Sequence, residues 1–146
     1  MRTHCPECGV PLISEDGCTQ RFHHFLALEM TDPEYGVVHH LTVAAYMLQH
    51  PGQLSRMGWL AIRDLLTQFL SDENFTPAVA RARYRKEVDI RNRSWSFTKG
   101  ERLVLPAGFT WSRTILDVDS STPVQYRQDI EEWARLVIED AAQVSL

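Results

Sequence analysis

The chain has 146 residues with a formal net charge of −4, and 44% of its residues are hydrophobic and 23% charged. This length and composition indicate one globular domain with a buried core, and they exclude a disordered chain. The acidic balance argues against a general nucleic-acid binder, and no apolar run approaches the ~20 residues that a membrane helix needs. The start lacks the apolar core of a signal peptide, so we expect a cytoplasmic protein with reduced cysteines.

The first 17 residues predict a metal-binding loop. The three cysteines of the chain, Cys5, Cys8 and Cys18, all fall within its first 18 residues. Two thiolates two residues apart can reach one ion, and Gly9 lets the backbone fold back under it. Three thiolates leave one corner of a tetrahedron open, which predicts a histidine there. One Zn²⁺ ion is the expected cofactor, with iron as the alternative, because thiolate-rich tetrahedral sites accept both.

From Cys18 onward the hydrophobic pattern is helical. The first helix begins at Cys18, where the helix dipole favours the thiolate form, and it ends near residues 31–33. A second helix then runs to about His50, where His-Pro-Gly is a strong stop signal. Ser55 caps a third helix, and Thr76-Pro77 opens a shorter fourth one.

The C-terminal third begins with the least regular stretch of the chain, residues 88–116, which has room for one short β-hairpin. Thr122-Pro123 then caps a long final helix with an apolar stripe at Tyr126, Ile130, Trp133, Val137 and Ala141. The predicted fold is therefore mainly α. It is a single-domain helical bundle over residues 1–146, with a zinc-knuckle loop at 1–17 and a mainly helical body at 18–146.

Two histidines on one face of the second helix, His39 and His50, are the candidates for the fourth ligand. If the first two helices form an antiparallel hairpin, Cys18 lies near His50, and His39 lies opposite Leu28 or Glu29. A shifted pairing makes the two histidines comparable. We favour His50, with His39 as the alternative. For either residue, a core histidine bonded to a carboxylate or a carbonyl is the simpler structural reading.

Glu29 and Asp32 are the acidic residues closest to this predicted site. Either could orient a ligand histidine, or act as a general base on a metal-bound water if the metal had an open position. For Asp32 the simpler interpretation is an N-cap. For Glu29 we retain both roles, the orientation of a ligand histidine and general-base chemistry.

These motifs together resemble a family of uncharacterised bacterial proteins with a domain of unknown function. The family pattern joins a CPxCG knuckle, a C-x3-F-x2-L-x-A-L-E helix, Asp-Pro-x-Tyr-Gly and a V-H-x-L-T-V-x-x-Y-x-L-Q-H-P block. They are found here at residues 5–9, 18–29, 32–36 and 38–51. His39 and His50 fall on the pattern, so the resemblance implies the same two candidate ligands. It implies no particular activity.

A closed site of three cysteines and one histidine predicts a structural metal. The sequence then favours a small zinc-binding protein that acts as a protein-interaction module. The alternative is a metal-dependent hydrolase with an open site near His39, His50 and Glu29. A third hypothesis is a nucleic-acid-binding module through residues 81–102, where basic and aromatic side chains alternate.

Overall fold

The structure, a computed structural model, describes residues 3–12, 17–87 and 100–144, with the side chains of residues 83–87 left out. It is mainly helical, as the sequence predicted. The helices of the described part are α1 (Cys18–Thr31), α2 (Pro33–Gly36), α3 (His39–Gln49), α4 (Arg56–Ser71), α5 (Pro77–Glu87) and α6 (Pro123–Ala141). Short 3-10 turns cover Pro51–Gln53 and Ile115–Asp117. None of the helices in the described ranges is both long and apolar enough to cross a membrane.

Helix α3 lies at the centre of the bundle and packs against α1, α4 and α6. Its buried side chains include Leu41, Ala45 and Leu48. Two fully buried tryptophans join the neighbouring helices to its C-terminal end. The indole N–H of Trp59 donates to the carbonyl of Leu48 at 3.0 Å, and that of Trp133 donates to the side chain of Gln49 at 3.3 Å. Both tryptophans are therefore packing residues of the core.

The predicted start signals are confirmed at both long helices. The hydroxyl of Ser55 accepts the N–H of Gly58 at 3.0 Å, and the hydroxyl of Thr122 accepts the N–H of Gln125 at 3.2 Å. Each bond satisfies a backbone donor that would otherwise lack a partner in the first turn. The apolar stripe predicted for the final helix is buried at all five positions, Tyr126, Ile130, Trp133, Val137 and Ala141.

The second predicted helix is divided into α2 and α3 instead of running unbroken to His50. A Cβ atom at Gly36 would lie 2.6 Å from the carbonyl oxygen of Glu29, so only glycine permits this close approach of α2 to α1. The N–H groups of Leu41 and Thr42 both donate to the carbonyl of Val38, where α3 starts. The break turns the chain so that α3 can run antiparallel to α1.

The β-hairpin expected within residues 88–116 is not present in the described part, residues 100–116, and the remainder lies outside the described residues. Residues 100–116 contain one isolated antiparallel bridge, between Arg102 and Ser55. The N–H of Arg56 also donates to the carbonyl of Glu101 at 2.7 Å. This segment is therefore held at the start of α4 by backbone bonds and runs as irregular chain.

Candidate metal centre

The pairing of α1 with α3 sets the geometry of the site. Cys18, the first residue of α1, lies near His50, which follows α3. One turn further along, the rings of Phe22 and Tyr46 stack with centroids 3.9 Å apart. The helices are therefore antiparallel, which is the arrangement that places Cys18 beside His50.

The N-terminal knuckle is a tight turn closed by backbone hydrogen bonds. The N–H of Cys5 donates to the carbonyl of Val10 at 2.8 Å, and the N–H of Gly9 donates to the carbonyl of Cys5 at 3.0 Å. Gly9 has a φ of +86°, in the left-handed region where other residues are strained. The glycine thus permits the turn that brings the Cys5 and Cys8 thiols together.

Four side chains converge at this point: Cys5, Cys8, Cys18 and His50. Their candidate ligand atoms all lie within 4.8 Å of one another, and all four residues are buried. Metal–ligand bonds of 2.0–2.3 Å in a tetrahedron put the ligand atoms roughly 3.3–3.8 Å apart. The group therefore lies close enough to hold a metal ion.

The ring of His50 is oriented as a metal ligand would be. Its Nδ1 lies 2.8 Å from the carbonyl oxygen of Tyr46, and since a carbonyl only accepts, Nδ1 carries the proton. Nε2 is then an unprotonated acceptor, and it is buried with no hydrogen-bond partner among the described residues. Burial lowers the pKa of His50, although the bond to Tyr46 acts in the opposite direction. The ring is thus neutral near pH 7, with a lone pair that lacks a donor.

Burial and neighbouring negative charge oppose the ionisation of two of the three thiols, Cys8 and Cys18. Burial is the largest cause that raises the pKa of Cys8, and the charges of Cys18 and Cys5 act in the same direction. Burial and the charge of Cys5 also raise the pKa of Cys18, so they outweigh the helix-start effect expected from the sequence. Burial acts to raise the pKa of Cys5, but the backbone N–H groups of Cys8 and Glu7 lower it overall. A divalent cation would compensate all three thiolates.

Glu7 joins the knuckle to two distant parts of the chain, which the sequence analysis missed. Its carboxylate accepts the N–H of Gly52 at 2.6 Å, just after α3. Its carbonyl accepts the indole N–H of Trp111 at 3.1 Å. Because Trp111 lies 104 positions from Glu7 and the acid is the variable residue of the knuckle, nothing in the sequence indicated either contact.

His39 lies outside this group and bonds to Glu29 instead, with Nδ1 2.8 Å from the carboxylate. His39 begins α3 and His50 follows its end, so the two residues are about 16 Å apart along the helix axis. One ion cannot contact both. The open hydrolytic site built from His39, His50 and Glu29 is therefore not assembled.

Glu29 is buried, and both of its carboxylate oxygens accept hydrogen bonds. Its other oxygen accepts the hydroxyls of Thr42 and Tyr126, each at 2.6 Å. Burial, followed by the bond to Glu29, raises the pKa of Tyr126. Glu29 therefore orients a histidine, which is one of the two roles predicted for it. That histidine is His39, which lies outside the cysteine cluster. The side chain of Asp32 accepts the N–H of Glu34 at 2.9 Å and is the N-cap of α2, as predicted.

The basic stretch at 81–102 lies mostly outside the described residues, and its nucleic-acid hypothesis stays a prediction. No curated protein and no solved structure matches the chain. A family match covers residues 3–142, which includes the knuckle, the helical bundle and all four residues of the cluster. The chain belongs to the family of unknown function DUF5946.

Proposed function

We propose that this protein is a small zinc-binding protein whose metal is structural and whose activity is binding to a protein partner. The observation that carries the metal assignment is the buried Nε2 of His50, which faces no donor in the described chain and belongs to the same group as the three thiols. A buried nitrogen without a partner costs about 1–3 kcal/mol, and a bound cation removes this cost.

The donor set favours zinc over other ions. Three thiolates and one neutral imidazole in a compact group match the tetrahedral sites that Zn²⁺ prefers, whereas oxygen ligands suit magnesium and calcium. Iron also accepts a thiolate-rich tetrahedron, so the identity of the ion is the finer part of the proposal. Four protein ligands saturate zinc and leave no position for a reacting water.

The ion would connect three separate parts of the chain: the knuckle, the start of α1 and the end of α3. The chain itself already holds the knuckle through the bonds of Glu7 with Gly52 and Trp111 and through the burial of Val10 in the core. A metal at this point would supply folding free energy directly, since unfolded chains rarely hold the ligands in place. Its role would be to fix the N-terminal loop on the helices.

Metal analysis tests this assignment. Purified protein should contain about one zinc per chain, and replacement by cobalt should give the absorption spectrum of a tetrahedral thiolate site. The zinc-loaded protein should not bind acetohydroxamate, because hydroxamates need an exchangeable position. A protein that binds hydroxamate, or that loses zinc to a chelator without unfolding, would instead have an open metal site.

The partner surface that we favour lies beside the knuckle. Val104 is 84% exposed, and it lines a cleft of about 420 Å³ together with Pro6, Glu7 and Gly52. A protein partner that covered this cleft would remove the exposed apolar side chain of Val104 from water. We expect a partner protein to bind the wild type and to bind the Val104→Asp variant at least tenfold more weakly. Both results should be obtained again with the purified partner. Equal binding of both variants would place the surface elsewhere.

A further inference from the structure

A second site lies between α3, α4 and α5, away from the cysteine cluster. It is a cavity of about 280 Å³. Its walls are apolar side chains from the three helices, which include Val43, Met47, Ile62, Leu65, Phe69 and Pro77. None of the four residues of the metal cluster lines it, so the cavity and the metal centre are separate features.

The polar groups of this cavity are all basic. They are His39, His40 and Arg81, and no acidic side chain is among the lining residues that the structure describes. His40 packs edge-on against Phe69 with ring centroids 4.6 Å apart, and burial lowers the pKa of His40. The neutral His40 ring is therefore part of the wall, and Arg81 is the lining residue with a permanent positive charge.

His39 and Arg81 lie at the exposed edge of the cavity. The side chain of His39 is 53% exposed, and Arg81 is also exposed. The carboxylate of Glu29 holds Nδ1 of His39 and fixes the ring at the edge of the cavity. Arg81 forms no ion pair with any residue in the described ranges, so its guanidinium is available to an anion.

We propose that this cavity binds a small aliphatic anion, with the hydrocarbon chain inside and the anionic head group at Arg81, beside the ring of His39. Apolar walls favour burial of methylene groups, and an arginine can hold a carboxylate by two parallel hydrogen bonds. A volume of about 280 Å³ equals that of roughly nine liquid waters, which suits a ligand of about ten non-hydrogen atoms. Octanoate has this size and this chemistry.

Calorimetric titration of the zinc-loaded full chain with octanoate tests the proposal. We expect saturable binding of octanoate, weaker binding of octanol and no measurable binding of acetate. In a series of straight-chain carboxylates, affinity should rise about fourfold per added methylene and stop rising near octanoate, where the cavity is full. The chain-length limit needs no substitution, so it does not depend on whether a variant folds.

The matched variants are Arg81→Gln and Arg56→Gln. Arg81→Gln should weaken octanoate binding about ten- to hundredfold and leave octanol unchanged, since a hydrogen bond to a charged group is lost. Arg56 is exposed at the start of α4 and does not line the cavity, so its variant should bind as the wild type does. Three results would each overturn the proposal: no octanoate binding at millimolar concentration, equal losses in both variants, or affinity that keeps rising past dodecanoate.

Discussion

The two ends of α3 carry the same residue type in opposite settings. At the C-terminal end, His50 is 8% exposed, bonds a neutral carbonyl through Nδ1, and belongs to a group with three thiols. At the N-terminal end, the side chain of His39 is 53% exposed, bonds a buried carboxylate, and borders an apolar cavity. The partner of Nδ1 and the burial of the ring, and not the residue type, decide what each imidazole can bind.

The pairing of α1 with α3 places residues at both of these sites. Because α1 and α3 are antiparallel, the start of α1 supplies Cys18 to one site and its end supplies Glu29 to the other. Phe22 stacks on Tyr46 between them, and Tyr46 in turn stacks on His50 with centroids 4.1 Å apart. The two sites lie at opposite ends of this helix pair and share no residue, so changes at one end should have little effect at the other.

The largest effect should come from Cys8→Ser. A serine hydroxyl stays protonated and is a poor zinc ligand, so the variant should lose the metal together with at least about 4 kcal/mol of unfolding free energy. Metal analysis and urea denaturation measure the two losses. His4→Ala is the matched control, because His4 is exposed and lies in the same loop outside the cluster. A Cys8→Ser protein with full zinc content would remove Cys8 from the ligand set.

The second prediction compares the two histidines directly. His50→Ala should release most of the zinc and cost about 3 kcal/mol of unfolding free energy, because the thiols alone leave the fourth position to water. His39→Ala should keep one zinc per chain. Elemental analysis of both variants in parallel decides between them, and zinc loss in His39→Ala alone would reverse our assignment.

A smaller loss is expected from Glu29→Gln. The carboxylate accepts from His39, Thr42 and Tyr126, and a glutamine would turn an N–H donor toward one of these donors. A buried mismatch of this kind costs about 1–3 kcal/mol, with zinc content unchanged. Thermal denaturation measures the loss. Glu139→Gln on the exposed side of α6 is the control and should change the unfolding free energy by less than about 0.5 kcal/mol.

Glu7→Ala should lower the free energy of unfolding modestly, because Glu7 belongs to the knuckle. The variant loses the acceptor for the Gly52 N–H but keeps the carbonyl that binds Trp111. One hydrogen bond of this type contributes about 0.5–1.5 kcal/mol, and water can replace part of it at this exposed position. Urea denaturation of Glu7→Ala beside Glu73→Ala, an exposed acid outside the knuckle, isolates this bond. Equal midpoints in the two variants would show that the bond between Glu7 and Gly52 contributes no stability.

The smallest effect concerns pH and His40. Burial, followed by the charge of His39, lowers the pKa of His40 in the folded state, while Glu29 acts in the opposite direction. Below about pH 6.5 the unfolded chain therefore binds this proton more readily, and stability should fall as the pH falls through the lowered folded value. His40→Asn should reduce this dependence by less than about 1 kcal/mol, because the ring is only half-buried. Denaturation midpoints of both proteins across this range test it, and identical slopes would exclude His40 as a contributor.

Local chemistry in the sequence was enough to predict the helices that carry the fold. The caps at Ser55 and Thr122 and the stripe from Tyr126 to Ala141 depend on residues within one or two turns of each other, and the structure has them as predicted. The knuckle at Cys5 to Gly9 could be predicted for the same reason. The spacing of its two thiols and the left-handed conformation of its glycine depend only on neighbouring residues.

The break between α2 and α3 could not be read from the sequence. Gly36 sits in a segment with no other helix-ending signal, and its role depends on the carbonyl of Glu29, which comes from another helix. The contacts of Glu7 with Gly52 and Trp111 were hidden for the same reason. Each requires knowledge of which distant segments lie side by side.

The sequence by itself determined a mainly helical chain, a three-cysteine knuckle and two candidate histidines on one helix face. Only the tertiary structure decided which of those histidines lies beside the thiols, because this depends on the direction in which α1 crosses α3. The antiparallel pairing brings His50 to the thiols and His39 to Glu29. Helical periodicity fixes which residues share a face, but packing between helices fixes which residues meet across it.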